Sequence, residues 1–227
     1  MDAVSLTIGQ LPLITLLIAL GAGSAAGLLA NWAADCLPSR AGVPREQIHR
    51  YRRRKPLVLA TLIILFGLLA YQTHADPARL FVSWCYAWFL MTVLVIDLET
   101  RRVLNIMLLP AAVFAVAAGL WLGQPSPGSM LGGAVVGFGL FWCLYFLGRV
   151  KYGHGALGFG DVKLVGVIGL MTGYPNVLTA LIIGAALGGV AAVILLLTRR
   201  AGWKSTTAYA PYLTVGAMLA LWHTFGG

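Results

Sequence analysis

Charge is scarce in this chain. Only 10% of its 227 residues are Asp, Glu, Lys or Arg, where a soluble domain carries about a quarter. That excludes a separate water-soluble domain and leaves one compact bundle, 59% hydrophobic. Acidic residues are fewest, seven against sixteen Lys and Arg, for a net charge of +9. On a soluble protein this balance would point to nucleic acid. Here it points to no nucleic-acid partner, because Lys and Arg anchor cytoplasmic loops of membrane proteins. Cysteine is rare as well: Cys36, Cys85 and Cys143, none in a CxxC pair. They read as small buried hydrophobes, and no zinc site can be assembled from them. His49, His74, His154 and His223 have no metal spacing. No repeat of 20–50 residues and no low-complexity tail is present. The start, MDAVSLTIGQ, lacks the basic opening of a secretory signal, so the first apolar stretch is expected to be a retained span.

What the chain has is long apolar runs, of the roughly 17–25 residues that cross a bilayer. They cover Leu11–Ala34, Leu57–Thr73, Leu80–Asp97, Asn105–Leu122, Met130–Arg149, Asn176–Thr198 and Ala208–Thr224. A shorter piece, Val162–Thr172, lies between the fifth and the next long one. The expected fold is all-α: a polytopic transmembrane helix bundle of roughly eight segments, the sixth a half-helix or a tilted one. The loop after the first segment holds Arg40, Arg45, Arg50, Arg52, Arg53, Arg54 and Lys55. Later odd-numbered loops hold Arg101 and Arg102, then Arg149, Lys151 and Lys163, then Arg199, Arg200 and Lys204, whereas even-numbered loops hold only Arg79. This bias predicts odd loops in the cytoplasm and both termini outside. The run from Arg50 to Lys55 is expected to touch anionic headgroups, so membrane lipids count as partners. Residues 1–56 form the first helix and a short basic loop, and 57–227 the core. Gly23 and Gly27, Gly133 and Gly137, and Gly184 and Gly188 stand four apart, a spacing that brings helices close in lipid.

Two carboxylates stand out in this apolar setting. Asp97 closes the run VLVID, and Asp161 sits in the turn GLGFGDVKL. Both fall at segment ends on the predicted cytoplasmic side. A carboxylate at the edge of a span is costly unless it has a partner or a task. Singly, each has a structural explanation: Asp161 as a helix N-cap, Asp97 as the partner of Arg101 one turn later. Together they fit acid–base chemistry, in which one carboxyl activates water and the other protonates or polarises a scissile carbonyl. Asp161, opening a helix, is expected to be mainly the base, and Asp97 mainly the proton carrier. Glu99, two residues beyond Asp97, is a second candidate. Gly158 and Gly160 allow the sharp turn before Asp161.

The pair DLETRRVLN and GFGDVKL resembles the prepilin peptidase family, the membrane aspartic proteases of the GxGD type. GSAAGLLANWAADCLP resembles that family's first-helix signature, and YAPYLTVGA its Pro-containing last helix. The resemblance spans nearly the whole chain. It implies an aspartic endopeptidase that removes the basic leader of type IV prepilins or pseudopilins at the cytoplasmic face of a prokaryotic plasma membrane. It implies Asp97 and Asp161 as the catalytic pair, Gly158 and Gly160 as flanking glycines, and Lys163 as the Lys that follows. With Glu99, these three are the expected substrate-binding residues, the acidic groups drawing the basic leader. No metal and no cofactor is expected. Many members carry a four-cysteine zinc loop after the first helix and methylate the new N-terminus. Here the loop, Asp35–Pro56, is short and has only Cys36, so zinc is unsupported and N-methyltransferase activity is left open. Leu104 stands where many members have Pro.

Other signals are set aside. Gly153, Gly155 and Gly158 fit GxGxxG but lack the βαβ unit that a dinucleotide site needs. Trp84, Trp88 and Trp203 read as interface or packing aromatics, and Asn31 as an interhelical hydrogen bonder. Asp35 reads as interfacial. The rival reading is a small proton-coupled transporter with a broken sixth helix. Such a protein would hold its charges near the midplane, whereas these lie at segment ends.

Overall fold

Backbone amides in lipid must find partners within their own segment, which favours helices wherever the chain is apolar. The computed structural model describes residues 13–44, 53–73, 76–152, 158–198 and 209–226, and the elements in them are eight helices. They are α1 Leu13–Arg40, α2 Arg54–Thr73, α3 Pro77–Thr100, α4 Asn105–Leu122, α5 Pro127–Tyr152, α6 Phe159–Thr172, α7 Asn176–Leu197 and α8 Ala210–Gly226. No strand occurs among the described residues. Six helices are long and apolar enough to cross a membrane; α6, with 14 residues, and α8, with 17, are shorter. The expected multi-pass bundle with a short sixth segment is therefore the observed one. Arg45, Arg50, Arg52, Arg199, Arg200, Lys204, His49, His74, His154, Gly153, Gly155 and Trp203 lie outside the described residues.

Local chemistry sets the helix ends. Asp76 caps α3, accepting from the amides of Ala78 at 3.0 Å and Arg79 at 3.2 Å, with Pro77 in the first turn where its missing N–H costs nothing. Gly123, at φ 67°, ends α4 in the left-handed conformation. The first helix runs six residues beyond the apolar stretch that predicted it, through Pro38 to Arg40. Hydropathy falls at Asp35, but the backbone ladder continues into the polar zone.

Small residues set the packing. A Cβ on Gly23 would lie 2.9 Å from the Ile63 Cα, and one on Gly27 would lie 2.9 Å from the Leu59 Cα, so α1 and α2 meet backbone to backbone. Gly133 meets Gly173 in the same way, and Gly184 meets Leu213 of α8. All three glycine pairs thus lie at helix contacts. At Gly169 of α6 an added Cβ would fall 2.7 Å from the Ala134 amide nitrogen. Gly169→Leu is expected to force α5 and α6 apart and cost roughly 3 kcal/mol, the upper part of the overpacking range. A lower melting midpoint in detergent checks this; an unchanged midpoint would mean that α6 can shift freely.

The outer helices turn large apolar side chains outward, Ile14, Leu109, Val135 and Ile182 among them. In water such a surface would aggregate; in a bilayer it faces like solvent. α3 differs from the rest. Two-thirds of its most apolar stretch is buried, against a third or less in the other five spanning helices. It packs against α1, α2, α4 and α8, while α6 packs against α4, α5, α7 and α8. The two aspartate-bearing helices therefore share α4 and α8 as neighbours at the centre of the bundle. Trp84 stacks on Phe66 with ring centroids 5.0 Å apart and donates to the Phe66 carbonyl at 3.1 Å, so it is a packing residue. Asn31 donates to the Lys55 carbonyl at 3.2 Å and joins α1 to α2 as expected.

Candidate active site

α3 brings Asp97 to within one turn of its own end. The helix stops at Thr100 because Arg101 takes φ 52°, ψ 36°, a conformation unusual for a residue with a side chain. The Arg101 amide donates to the Asp97 carbonyl at 2.7 Å. Among the described residues the two side chains make no close ion pair, as α3 does not continue, and the Arg101 charge acts on the Asp97 carboxyl from farther away. Asp97 is 3% exposed, and its Oδ2 has no hydrogen-bond partner among the described residues. A buried, unpartnered polar atom is uncommon in a folded protein and asks for an explanation; Asn31 Oδ1, Gln72 Oε1, Trp88 Nε1 and Glu99 Oε1 share this state among the described residues.

Asp161 arrives from the other side, in the first turn of α6. The N-cap of that helix is Gly158, not Asp161, and Gly158 offers no side chain for capping. Asp161 instead folds back, and its carboxylate accepts a hydrogen bond from the Gly158 backbone. This is the returning half of a capping box, made from the third helical position. A Cβ on Gly158 would lie 3.2 Å from Asp161 Oδ2, so glycine leaves the carboxylate room. Gly160 has a different duty. A Cβ there would lie 3.0 Å from the Val103 Cβ and 3.2 Å from the Val103 carbonyl oxygen. Glycine lets the start of α6 close onto residues 101–104, the segment through which the chain leaves α3, where a larger residue would push the neighbour back by a few tenths of an ångström. Closure places the Asp161 carboxylate within electrostatic reach of Asp97.

Lys163 reaches across the same seam. Its Nζ donates to Asn105 Oδ1 at 3.1 Å, at the start of α4, and sits 5.1 Å from the centre of the Phe159 ring. The ammonium is thus occupied by α4 and an aromatic face.

Glu99 lies elsewhere. Two residues along a helix is a rotation of about 200°, and Glu99 is 1% exposed on the side of α3 that meets α1 and α2. Its Oε2 accepts from Arg54 Nη1 at 2.8 Å. This departs from the expectation that Glu99 binds substrate, since its carboxylate is enclosed and one oxygen is held by Arg54, while Oε1 has no hydrogen-bond partner among the described residues. Arg54 departs too: the sequence grouped it with headgroup-facing cations, yet its side chain is 6% exposed. The guanidinium bonds Asp35 Oδ1 at 2.8 Å as well as Glu99. Asp35, expected at the interface, thus has this inward partner, with Lys55 Nζ 3.8 Å from its other oxygen. One sequence signal distinguished Arg54 from its neighbours, its place directly before Lys55, Pro56 and the apolar run. Among the described residues no group of three His, Cys, Asp or Glu side chains could hold a metal ion.

The model of the type IV leader peptidase family matches residues 84–193, which include both aspartates, both flanking glycines and Lys163. Similar proteins include the prepilin leader peptidase/N-methyltransferase of Escherichia coli (strain K12). It is 30% identical over 179 residues, covering 78% of this chain and 77% of that protein. The protein of the same name from Pseudomonas putida is 30% identical, over 74% of this chain and 59% of its own length. That of Pseudomonas aeruginosa is 26% identical, over 74% and 58%. The chain thus spans under two-thirds of the two Pseudomonas relatives. No solved structure matches. With its paired aspartates, its glycine turn and this degree of identity to the Escherichia coli protein, the chain belongs to the type IV leader peptidase family.

Proposed function

We propose that this chain is a membrane-embedded aspartic endopeptidase that cuts the N-terminal leader from type IV prepilins or pseudopilins. One observation carries the reading. Two carboxyl groups from separate helices, each at a helix end, stand within electrostatic reach of each other, and one keeps an oxygen free of hydrogen bonds among the described residues. Two such groups can divide acid and base roles, as like charges held close do not both ionise easily. In the proposed reaction one carboxylate takes a proton from water as the water oxygen bonds to the scissile carbonyl carbon. The other carboxyl donates its proton to the carbonyl oxygen. Collapse of the tetrahedral intermediate then breaks the C–N bond, and the leaving amine takes a proton from the pair. Asp161, less buried and bonded to a backbone amide, suits the base; Asp97, enclosed and with no partner at Oδ2 among the described residues, suits the proton carrier.

The substrate would lie with its apolar helix along the enzyme's lipid-facing surface and its extended scissile segment over the glycine turn. Gly158 is exposed and would present bare backbone there. Gly160 holds the turn closed, and Lys163 borders it. A basic leader would meet Asp161 first, the more accessible of the two aspartates. The positions of the carboxylates favour a peptidase over a transporter, since Asp97 is in the last turn of α3 and Asp161 in the first turn of α6. The charge bias of the loops supports a cytoplasmic active site in a prokaryotic plasma membrane. The test is direct: purified protein in detergent or lipid, incubated with a prepilin-like precursor, should release the leader, read by mass. A precursor left intact under conditions in which the Escherichia coli relative cuts it would overturn the reading.

A further inference from the structure

The buried cluster on the far side of α3 has no part in the reaction as derived above, yet it grips the turn that bears Asp97. Arg54 Nη1 bonds Glu99 Oε2 at 2.8 Å and Nη2 bonds Asp35 Oδ1 at 2.8 Å, so one guanidinium spans α1, α2 and α3. Its planar fork holds two acceptors in fixed directions, which the point charge of a lysine cannot do. The turn it grips needs holding. The last carbonyls of a helix have no partners within it, and α3 ends abruptly at left-handed Arg101. Stability alone is a poor reason for such a cluster, because well-packed apolar residues do as well or better than a buried ion pair. What a charged fork provides is one defined arrangement.

We propose that Arg54 is a positioning residue for the peptidase, fixing the last turn of α3 against α1 so that Asp97 faces Asp161. The role in catalysis rests on the function proposed above; the mechanical role does not. Arg54 acts through Glu99 and touches no substrate. Asp97 and Glu99 leave α3 about 200° apart, so restraint at the back of the turn sets the direction of the front.

The test compares the parent protein with Arg54→Lys, Arg54→Met and the double variant Arg54→Met/Glu99→Met, all purified in lipid nanodiscs. Three quantities are read: kcat and KM for leader release, the thermal midpoint, and amide exchange over residues 96–101. Arg54→Met should lower kcat at least tenfold with KM within twofold, and exchange over 96–101 should quicken. Arg54→Lys should also fall about tenfold, since one ammonium cannot hold both carboxylates in the fork's geometry. The double variant removes the unpaired buried charge and should recover the thermal midpoint without recovering kcat. Recovery of kcat together with the midpoint would overturn the proposal and leave Arg54 a structural residue. So would parental kcat in Arg54→Met, or a rise in KM alone. If the parent released no leader, the proposed function would fail, and exchange would still decide: unaltered exchange over 96–101 in Arg54→Met overturns the positioning role.

Discussion

Asp97→Asn and Asp161→Asn should each reduce leader release by about 10³-fold or more, within the range that general acid–base groups supply. Asparagine keeps the shape of the side chain and removes its ability to carry a proton. Both sites tolerate the change sterically. Asp97 Oδ2 has no hydrogen-bond partner to lose among the described residues, and the side-chain amide replacing the Asp161 carboxylate would retain a carbonyl oxygen for the Gly158 N–H. The two effects should not add. Groups that act as a unit fail as a unit, so the double variant should be about as inactive as either single one. Retained binding of the precursor, read by co-purification, separates lost chemistry from lost structure. If both single variants cut at the parental rate, the aspartate pair is not the catalytic centre.

Gly160→Val should cost about 100-fold in kcat while the protein still folds. The first added atom would stand 3.0 Å from the Val103 Cβ and 3.2 Å from a backbone carbonyl, neither of which is the tip of a flexible side chain. The start of α6 must then back away from residues 101–104, taking Asp161 from Asp97. A displacement near 1 Å at reacting groups is worth about 10² in rate. Gly160→Ala should lie between, at about tenfold. Adding Val103→Gly to Gly160→Ala removes the nearest atom and should return part of the lost rate. Leader release by Gly160→Val at the parental rate would show that the contact with Val103 does not set the aspartate geometry.

These two sets of variants probe different links. The aspartate changes remove chemistry and leave the scaffold. The glycine change leaves both carboxyls and alters only the distance between them. Gly169→Leu, by contrast, acts on α5 and α6 far along the helix from Asp161 and should register as stability before activity. A protein whose rate followed its melting midpoint through all three would not be using Asp97 and Asp161 as a pair.

Much of this protein can be read along the chain. The limits of α4, Asn105–Leu122, coincide with the apolar run, because a polar residue opens it and Gly123 closes it. α2, α3, α5 and α7 match their runs to within a few residues, since in lipid apolar length and helix length are nearly the same quantity. The short α6 was visible for the same reason. The aspartates were legible because carboxylates at the edge of apolar runs are few, and a glycine on either side of Phe159 marked the turn. The end of α1 was misplaced because hydropathy records where lipid stops, not where a helix stops.

Sequence alone therefore determined the membrane class, the order of helices and the two candidate aspartates, all of which depend on residues near one another in the chain. Only the tertiary structure decided what lies at the back of α3. Arg54 sits in a basic run and by composition belongs at the lipid surface, yet its partner Glu99 is 45 residues away and draws it inside. It likewise gave Gly160 its duty, through a contact with Val103 from another segment. A side chain's own chemistry fixes what it can bond; which partner it meets depends on how the helices pack, and no local pattern records that.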